Sequence, residues 1–355
     1  MQPLLDIRQL YLGFSSPQGY IHAVRGVSLR LHQGEMLSLV GESGCGKSVL
    51  CKSILGLLPH SGSITGGQIL FDGIDLVSAS PRAMDAIRGR QIAAVFQDPY
   101  LTLDPAWSIG AQIQEAILVH YKMSKAEARR DAITLLRRVG IPDPQYRYDD
   151  RPSQFSGGQR QRIAIAIALA CRPSLLIADE ITTALDAISA AEISELLSSL
   201  QKQLKMTVLL VTHDLSSAFL ADRVAVMYAG KIVECGTAEE IACDARHPYT
   251  WALLSSLLSL TECASPLICL PGAPPDLRRL PTGDAFAPRN PYAMEIDFKH
   301  EPPEFPITPT HRAATWLCHP DAPAVERPAA ISQQQFAGLR TLRQSLLNVK
   351  ERKLQ

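Results

Sequence analysis

Two stretches near the start of the chain alternate apolar and polar side chains. Residues 4–14 and 23–31 have this period of two, and the polar segment 15–19 lies between them. Alternation of this kind is typical of strands buried on one face, so the sequence predicts an antiparallel pair joined by a turn. A further strand is predicted at residues 68–71, where the turn of Asp72 and Gly73 follows.

Other short stretches are apolar on both faces. They are residues 36–40, 92–96, 175–180 and 207–213. Strands that are buried on both sides and separated by helices predict a parallel sheet covered on each face. A closing hairpin is predicted over residues 223–234, around Ala229 and Gly230.

Helical spacing of apolar residues follows the second of these strands. It extends over residues 109–121 and 125–139, with Ser124 as the predicted N-cap and Gly140 as the C-terminal stop. These helices predict a helical insert. The polar residues 154–162 open another helix, which is predicted at residues 163–171.

Composition limits the class of protein. The 355 residues are 46% hydrophobic, with 35 basic and 35 acidic side chains, which predicts a globular chain without global attraction to nucleic acid or anionic lipid. The eight scattered cysteines indicate reduced thiols and a cytosolic setting. The N-terminus lacks the pattern of a secretory signal, and no apolar run approaches the ~18 residues that a membrane crossing needs.

The composition changes near residue 260. Between Pro266 and Pro328 lie 14 of the 25 prolines, and no long apolar periodicity continues there. We therefore expect a first domain over residues 1–260, with the helical insert at about residues 100–160, and a loop-rich extension over residues 261–355. A helix-like stretch at residues 332–347 places Phe336, Leu339, Leu342 and Leu346 on one face.

The segment between the strand 36–40 and the apolar run 49–58 reads Gly-Glu-Ser-Gly-Cys-Gly-Lys-Ser. It matches the phosphate-loop pattern G-x-x-x-x-G-K-[ST], in which backbone N–H groups and a helix N-terminus surround an anion. The alternative is a Gly/Ser-rich connection, which the Lys-Ser ending disfavours. Lys47 would supply a point charge, and the Ser48 hydroxyl would bind Mg²⁺. The residues expected to bind the nucleotide are Gly41, Ser43, Gly44, Cys45, Gly46, Lys47, Ser48 and Val49.

Cys45 carries a separate expectation. It lies at a helix N-terminus beside Lys47, and both features lower the pKa of a thiol. We expect an acidified and reactive thiol that ATP protects from labelling.

Polar residues end the predicted parallel strands. Asp179 would hold Mg²⁺ and Glu180 would orient a nucleophilic water, although an acidic pair alone is more often a solvated loop. Gln97 and His213 end two other strands and should converge on the same sheet edge, where a lone residue of either type is usually structural. A second anion site is predicted where Ser156, Gly157, Gly158 and Gln159 precede a helix.

Together these motifs resemble the ATP-binding subunits of ATP-binding-cassette (ABC) transporters, over about residues 4–258. In that family the matching positions are the Q-loop Gln97, the signature of residues 155–159, the catalytic Glu180 and the switch histidine His213. Asp186 matches the D-loop. The resemblance implies an α/β P-loop NTPase core (ABC ATPase) with an antiparallel β subdomain, a helical signature subdomain and a loop-rich C-terminal extension.

The resemblance also implies a mechanism. Two cassettes are expected to pair head to tail, so that ATP at Lys47 of one chain is capped by the signature of the other, and Asp186 would line this interface. Mg²⁺ would lie near Ser48, Gln97 and Asp179. The adenine is expected to stack on Phe14, with Tyr20 as the less favoured choice, and either ring could instead be core. Isolated monomer is expected to hydrolyse ATP poorly.

A narrower resemblance rests on His247-Pro248-Tyr249-Thr250 and on Pro-Gly and Pro-Thr-Gly segments after residue 270. These are similar to the oligopeptide, dipeptide and nickel importer ATPases. That likeness implies a non-identical partner ATPase, two membrane permeases, an extracytoplasmic substrate-binding protein, no nucleic acid, and a peripheral position on the cytoplasmic face of the bacterial inner membrane.

The chain departs from the family at two places. Ile181 stands where the family usually has proline after the catalytic glutamate. Many relatives also hold a [4Fe–4S] cluster on four cysteines, whereas this chain has Asp284, Asn290 and Asp297 at the first three positions and Cys318 near the fourth. Because such a cluster needs thiolates, we expect it to be absent. Cys263 and Cys269 fit no site and are expected to be free thiols.

Two other function classes have sequence patterns of their own. A DNA-repair or ribosome-acting ATPase of the same superfamily usually carries two cassettes, coiled coils or zinc insertions, and basic surfaces, none of which this sequence has. A regulatory subunit that binds ATP without turnover is suggested only by Ile181. The sequence favours an ATPase that couples ATP hydrolysis to the uptake of peptides or a related small solute.

Overall fold

The computed structural model describes residues 2–258 and 270–328. The helix predicted at residues 332–347, and Cys263 and Cys269, lie outside the described residues. The strands are β1 (Leu5–Ser16), β2 (Gly19–Leu31), β3 (Met36–Val40), β4 (Gly62–Phe71), β5 (Ile74–Asp75), β6 (Ile92–Val95), β7 (Leu175–Asp179), β8 (Thr207–Thr212), β9 (Arg223–Tyr228), β10 (Lys231–Thr237), β11 (Phe305–Pro306) and β12 (Arg312–Ala313).

The helices lie between these strands and after β10. They are α1 (Lys47–Ile54), α2 (Pro81–Ile87), α3 (Pro99–Thr102), α4 (Ile109–His120), α5 (Lys125–Arg138), α6 (Pro144–Arg147), α7 (Gly157–Ala168), α8 (Ala187–Leu204), α9 (Leu215–Ala218), α10 (Ala238–Asp244), α11 (Pro248–Leu258) and α12 (Glu295–Lys299), with single 3₁₀ turns at Pro152–Gln154, Ala287–Arg289 and Trp316–Cys318. Within the described ranges, no helix combines the length and the apolar character needed to cross a membrane.

The strands form two sheets. The antiparallel sheet has the order β2-β1-β4-β5, and the larger sheet has the order β11-β12-β10-β9-β3-β8-β7-β6. In the larger sheet β6, β7, β8, β3 and β9 pair in parallel, while β10 returns antiparallel to β9. The predicted antiparallel pair, parallel sheet and closing hairpin are therefore confirmed.

Three hydrophobic clusters lie around these sheets. The first packs the helices of the insert and α8 against one face of the parallel strands. The second lies between the other face and the antiparallel sheet and includes α1. The third joins the β9–β10 hairpin to α9, α10 and α11, and it also contains Ala285 and Phe286. The segment after residue 270 thus shares a core with the hairpin.

Several boundaries differ from the sequence-based expectation. The helix predicted at residues 163–171 begins at Gly157, because Ser156 caps it and the two glycines form its first turn. The strand predicted to include Glu180 ends at Asp179, and the strand predicted to include His213 ends at Thr212. Helix α8 was not assigned, although Ile193, Leu197 and Leu200 are buried at helical spacing.

Segment 270–328 contacts the rest of the chain through polar groups as well. Arg25 of β2 donates to Glu301 at 2.6 Å, and His311 Nε2 lies 2.8 Å from Glu234 Oε1 of β10. Both Glu234 and His311 are fully buried. The register of β12 on β10 pairs Ala313 with Glu234, so the segment extends the main sheet.

Candidate functional site

The phosphate loop, residues 41–48, follows β3 and ends in the first turn of α1. Gly46 has a φ of 110°, and a Cβ there would lie 2.3 Å from the carbonyl oxygen of Ala23, so this position requires glycine. The buried Lys47 ammonium donates to the carbonyl oxygens of Gly41 at 2.7 Å and Glu42 at 3.0 Å. The loop therefore curves around a lysine at the positive end of a helix, which is an arrangement that binds phosphate.

Asp179 ends β7 beside this loop. Its Oδ1 accepts a hydrogen bond of 3.0 Å from the Ser48 hydroxyl. Burial raises the pKa of Asp179, the hydrogen bond from Ser48 lowers it, and the charge of Glu180 raises it. Two oxygen ligands at this separation, next to an anion-binding loop, suit a hard cation such as Mg²⁺.

Glu180 leaves the strand in an unusual backbone conformation. Its φ is 51°, a left-handed value that costs a non-glycine residue about 1–3 kcal/mol, and its N–H donates to the carbonyl oxygen of Val211 at 2.9 Å. The side chain lies between Lys47 Nζ, 3.8 Å from Oε1, and His213 Nδ1, 3.7 Å from Oε2. The structure thus brings Glu180 together with a lysine and a histidine.

Ile181 follows this carboxylate at the position where the family usually has proline. Its side chain is 2% exposed and belongs to the first hydrophobic cluster. The apolar side chain therefore anchors the residue after Glu180 in the core.

Gln97 and Asp186 lie at other element ends. Gln97 is exposed and follows β6 by two residues. Asp186 caps α8, because its Oδ1 accepts the N–H groups of Ile188 at 3.1 Å and Ser189 at 3.0 Å. The hydrogen bonds from Ser189 hold the pKa of Asp186 below its usual value.

The second anion site opens α7. The hydroxyl of Ser156 accepts the N–H of Gln159 at 3.3 Å, and the Gln159 side chain accepts the N–H of Ser156 at 3.1 Å. This capping box leaves the N-terminal end of α7 facing outward, with Ser156 exposed. In residues 2–258 and 270–328, neither these two residues nor Gly157 and Gly158 form a hydrogen bond with the phosphate loop.

The two aromatic candidates for adenine stacking differ in their surroundings. Phe14 is half-buried, and a Cβ on Gly62 would lie 2.7 Å from its Cε1. Tyr20 packs its ring against His22, with ring centroids 5.0 Å apart, and its hydroxyl is buried. Each ring therefore has protein contacts on one side.

The expected acidification of the Cys45 thiol is wrong. The residue is 5% exposed, and burial raises the pKa of the thiol although the nearby Lys47 charge lowers it. Desolvation of a thiolate outweighs the helix terminus and the ammonium together. Burial therefore disfavours the thiolate form of Cys45.

Two further side chains, neither of them predicted from the sequence, contact the loop. The hydroxyl of Tyr249 accepts the N–H of Glu42 at 2.8 Å, and the Arg289 guanidinium donates to the Glu42 carboxylate at 2.9 and 3.2 Å. Tyr249 belongs to the His-Pro-Tyr-Thr segment on which the narrower resemblance rests, so a sequence signal for this residue existed. Arg289 lies in a proline-rich stretch without periodicity and gave none.

The positions at which many relatives carry cluster cysteines have oxygen and amide side chains that bind backbone. Asp284 accepts the N–H of Phe286 at 3.0 Å, Asn290 accepts that of Tyr292 at 3.0 Å, and Asp297 accepts that of Met294 at 2.7 Å. These hard ligands do not fit an iron–sulfur cluster, which is held by thiolates.

Comparisons with known proteins match most of the chain. The sequence matches the family described as ABC transporter over residues 24–183, and the family described as oligopeptide/dipeptide transporter, C-terminal region, over residues 233–296. The oligopeptide transport ATP-binding protein OppD of Bacillus subtilis (strain 168) is 50% identical over 331 residues, which cover 92% of each chain. The dipeptide transport ATP-binding protein DppD of Lactococcus lactis subsp. cremoris (strain MG1363) is 47% identical over 326 residues, which cover 91% of this chain and 93% of that one.

The fold of this chain also resembles solved structures of ABC proteins. The ATP-binding cassette MJ0796, in a dimeric post-hydrolysis state bound to ADP and Pi, has 29% identity and a TM-score of 0.60, covering 66% of this chain and 98% of its own. The cbiO1 protein of Clostridium perfringens, part of the ABC transporter complex cbiONQ, has 28% identity and a TM-score of 0.61, covering 74% and 96%. The α/β P-loop NTPase fold expected from the motifs is confirmed.

Proposed function

This chain belongs to the ABC transporter family, in its oligopeptide and dipeptide transport group, and from that membership we propose that it is the ATP-hydrolysing subunit of a peptide importer. The resemblance found in the motifs is confirmed by the relatives described above. The observation that carries the proposal is the position of Glu180 between Lys47 and His213, beside the Ser48–Asp179 pair.

The proposed chemistry is water attack on the γ-phosphate of ATP. Lys47 and the loop N–H groups bind the phosphates, and the Glu180 carboxylate accepts a hydrogen bond from the attacking water and orients it. His213, whose Nδ1 lies 3.7 Å from the Glu180 carboxylate, would contact the γ-phosphate together with Lys47. Ser48 and Asp179 would hold Mg²⁺, with Gln97 near it, and the bound cation would neutralise charge on the phosphates.

The cap on the γ-phosphate is proposed to come from a second cassette. Ser156 is exposed and the next three residues are partly buried, so the N-terminal end of α7, with Ser156, Gly157, Gly158 and Gln159, would be accessible to the nucleotide of a partner. Asp186 would line the same interface, and the adenine would stack on Phe14. Removal of the γ-phosphate by hydrolysis would then release the pair.

The wider assembly follows from the relatives. We propose a non-identical ATPase partner, two permeases and an extracytoplasmic substrate-binding protein, with this chain peripheral on the cytoplasmic face of the inner membrane and without nucleic acid. The proposal includes an ATPase domain over residues 1–260 and an extension over residues 261–355.

We also propose that the extension carries no iron–sulfur cluster. Cys318 alone does not replace the thiolates that Asp284, Asn290 and Asp297 lack. Purified protein should contain no stoichiometric iron or sulfide. A brown absorbance with both elements present would contradict this proposal.

The function is tested by Glu180→Gln in the assembled complex. The amide cannot accept the water proton, so we expect ATP hydrolysis to fall at least about a hundredfold while ATP binding persists. The matched control is Glu192→Gln, at a half-exposed residue of α8 paired with Arg162, which should keep its activity. If wild type and Glu180→Gln hydrolyse ATP at the same rate, Glu180 does not orient the attacking water.

A further inference from the structure

Arg289 is a buried cation that reaches the phosphate loop from the segment after residue 270. Its side chain is 9% exposed, and its Nη1 lies 2.9 and 3.2 Å from the two carboxylate oxygens of Glu42. Glu42 is the first variable residue of the loop. The segment after residue 270 therefore contacts the nucleotide site directly.

The guanidinium is held on its other sides as well. Its Nε donates to the carbonyl oxygen of Pro271 at 3.1 Å, and Nη1 lies 3.4 Å from the hydroxyl of Tyr228. These contacts restrict the rotamers of a side chain that would otherwise have several. Arg289 is thus pre-organised toward Glu42.

Three packed aromatic rings form a wall behind the loop that is shared by the two parts of the chain. Tyr228, Tyr249 and Phe286 pack edge to face or tilted, with ring centroids 4.7–5.6 Å apart. Phe286 precedes Arg289 by three residues, and the Tyr249 hydroxyl binds the N–H of Glu42. Tyr249 of this wall therefore holds the backbone of Glu42, and Arg289 holds its side chain.

Charge gives the contact a consequence for nucleotide binding. Glu42 places a carboxylate in a loop that must attract phosphate. The carboxylate and the phosphates carry like charges, which repel when they are partly shielded from water. Glu42 is 28% exposed, so solvent screens it only in part. Pairing with Arg289 neutralises the carboxylate.

We propose that Arg289 is a positioning residue for the phosphate loop, which fixes Glu42 and neutralises its carboxylate so that the loop binds ATP. The inference rests on the proposed function, and it makes the segment after residue 270 part of the nucleotide site. The residue acts through Glu42 and touches no reacting atom.

The test uses the full-length chain and calorimetric titration with MgATP. Arg289→Gln keeps a polar but shorter side chain and removes the charge, and we expect the Kd for ATP to rise about tenfold. Arg289→Lys keeps a charge near Glu42 and should recover most of the affinity. In a Glu42→Gln background, Arg289→Gln should change the Kd less than about threefold, because the repelling carboxylate is gone.

A matched control comes from the same segment. Arg278 is exposed, pairs with Asp276 and contacts Gln18 in the β1–β2 turn, so Arg278→Gln should leave the Kd unchanged. In the assembled complex, Arg289→Gln should raise the KM for ATP and leave kcat nearly unchanged. A role in folding alone would lower Tm and the active fraction with the same KM.

The outcomes separate this inference from the proposed function. If wild type binds ATP and folded Arg289→Gln binds it equally well, the inference is wrong and the function stands. A tenfold loss that persists in the Glu42→Gln background would also overturn it, since the effect would not pass through Glu42. If wild type binds no ATP, the proposed function and the inference fail together.

Discussion

At the scale of single residues, burial decides chemistry that local sequence context does not. Cys45 has the helix terminus and the lysine that acidify thiols, yet burial raises its pKa. Asp284 shows the same effect on a carboxyl group. It is 7% exposed, and burial, with the charges of Asp297 and Glu301, raises its pKa to about 6 although the N–H of Phe286 opposes the shift.

This shift predicts a pH dependence of stability. Because the folded chain binds this proton more tightly than the unfolded chain, Asp284 favours folding most below about pH 4, and that contribution is lost as the pH rises through about 6. The two-unit difference corresponds to about 3 kcal/mol. Asp284→Asn keeps an acceptor for Phe286 N–H and removes the charge. We expect it to stabilise the protein at pH 8 by roughly 2 kcal/mol and to flatten the profile between pH 4 and 7 in thermal unfolding.

The control is Asp276→Asn. Asp276 is exposed, and hydrogen bonds from Arg278 hold its pKa below the usual value. Asp276→Asn should change the pH profile of stability little, or change it in the opposite direction. If Asp284→Asn leaves the pH profile unchanged, Asp284 is not the group responsible.

The site was predictable wherever a residue type and its position at a strand end carry the chemistry. Asp179, Glu180 and His213 were proposed from such positions and Lys47 from the phosphate-loop pattern, and the structure brings each of them within 4 Å of another of these residues or of Ser48. Arg289 was not predictable, because its contact with Glu42 spans 247 positions of the sequence. No local pattern encodes a pairing of that length.

At the scale of elements, caps and periodicity gave the most reliable predictions. Ser124 was expected to cap α5, and it forms a capping box in which its hydroxyl accepts the N–H of Glu127 at 3.2 Å and the Glu127 carboxylate accepts that of Ser124 at 2.9 Å. The strands buried on both faces were also predicted, because each is a short stretch that is apolar on both faces. Two-residue strands such as β11 and β12 have no periodicity and could not be predicted.

Ser124→Ala tests the cap. Loss of the hydroxyl leaves the N–H of Glu127 without its side-chain acceptor, so we expect a destabilisation of about 1 kcal/mol and faster hydrogen exchange at residues 124–128. Thr134→Ala, on an exposed position of the same helix, should be neutral or slightly stabilising, because alanine has the higher helix propensity. Equal exchange in wild type and Ser124→Ala would show that the cap contributes nothing.

At the scale of the whole molecule, the segment after residue 270 is joined to the main sheet by a buried polar pair. Glu234 and His311 are both fully buried, 2.8 Å apart, and Glu234 also accepts the N–H groups of Arg246 and His247. Since buried polar groups must keep their partners, this pair couples the stability of the segment to that of the β9–β10 hairpin.

We expect His311→Leu to lower the free energy of unfolding by about 2 kcal/mol, the value typical of a hydrogen bond to a charged group. Denaturant unfolding followed by circular dichroism measures this loss. His300→Leu, at an exposed residue of the same segment, is the control and should change stability little. If the two variants lose stability equally, the Glu234–His311 pair does not join the two parts.

Strands β11 and β12 form one edge of the main sheet. Without β11 and β12, strand β10 would be the outermost strand, and its free N–H and C=O groups could pair with strands of other molecules. β12 covers β10 at Glu234 and Cys235, and β11 ends at Pro306, which has no N–H to offer. We therefore expect the four residues of β11 and β12 to limit aggregation. A chain shortened after Leu258 is expected to precipitate because β10 would pair with strands of other molecules.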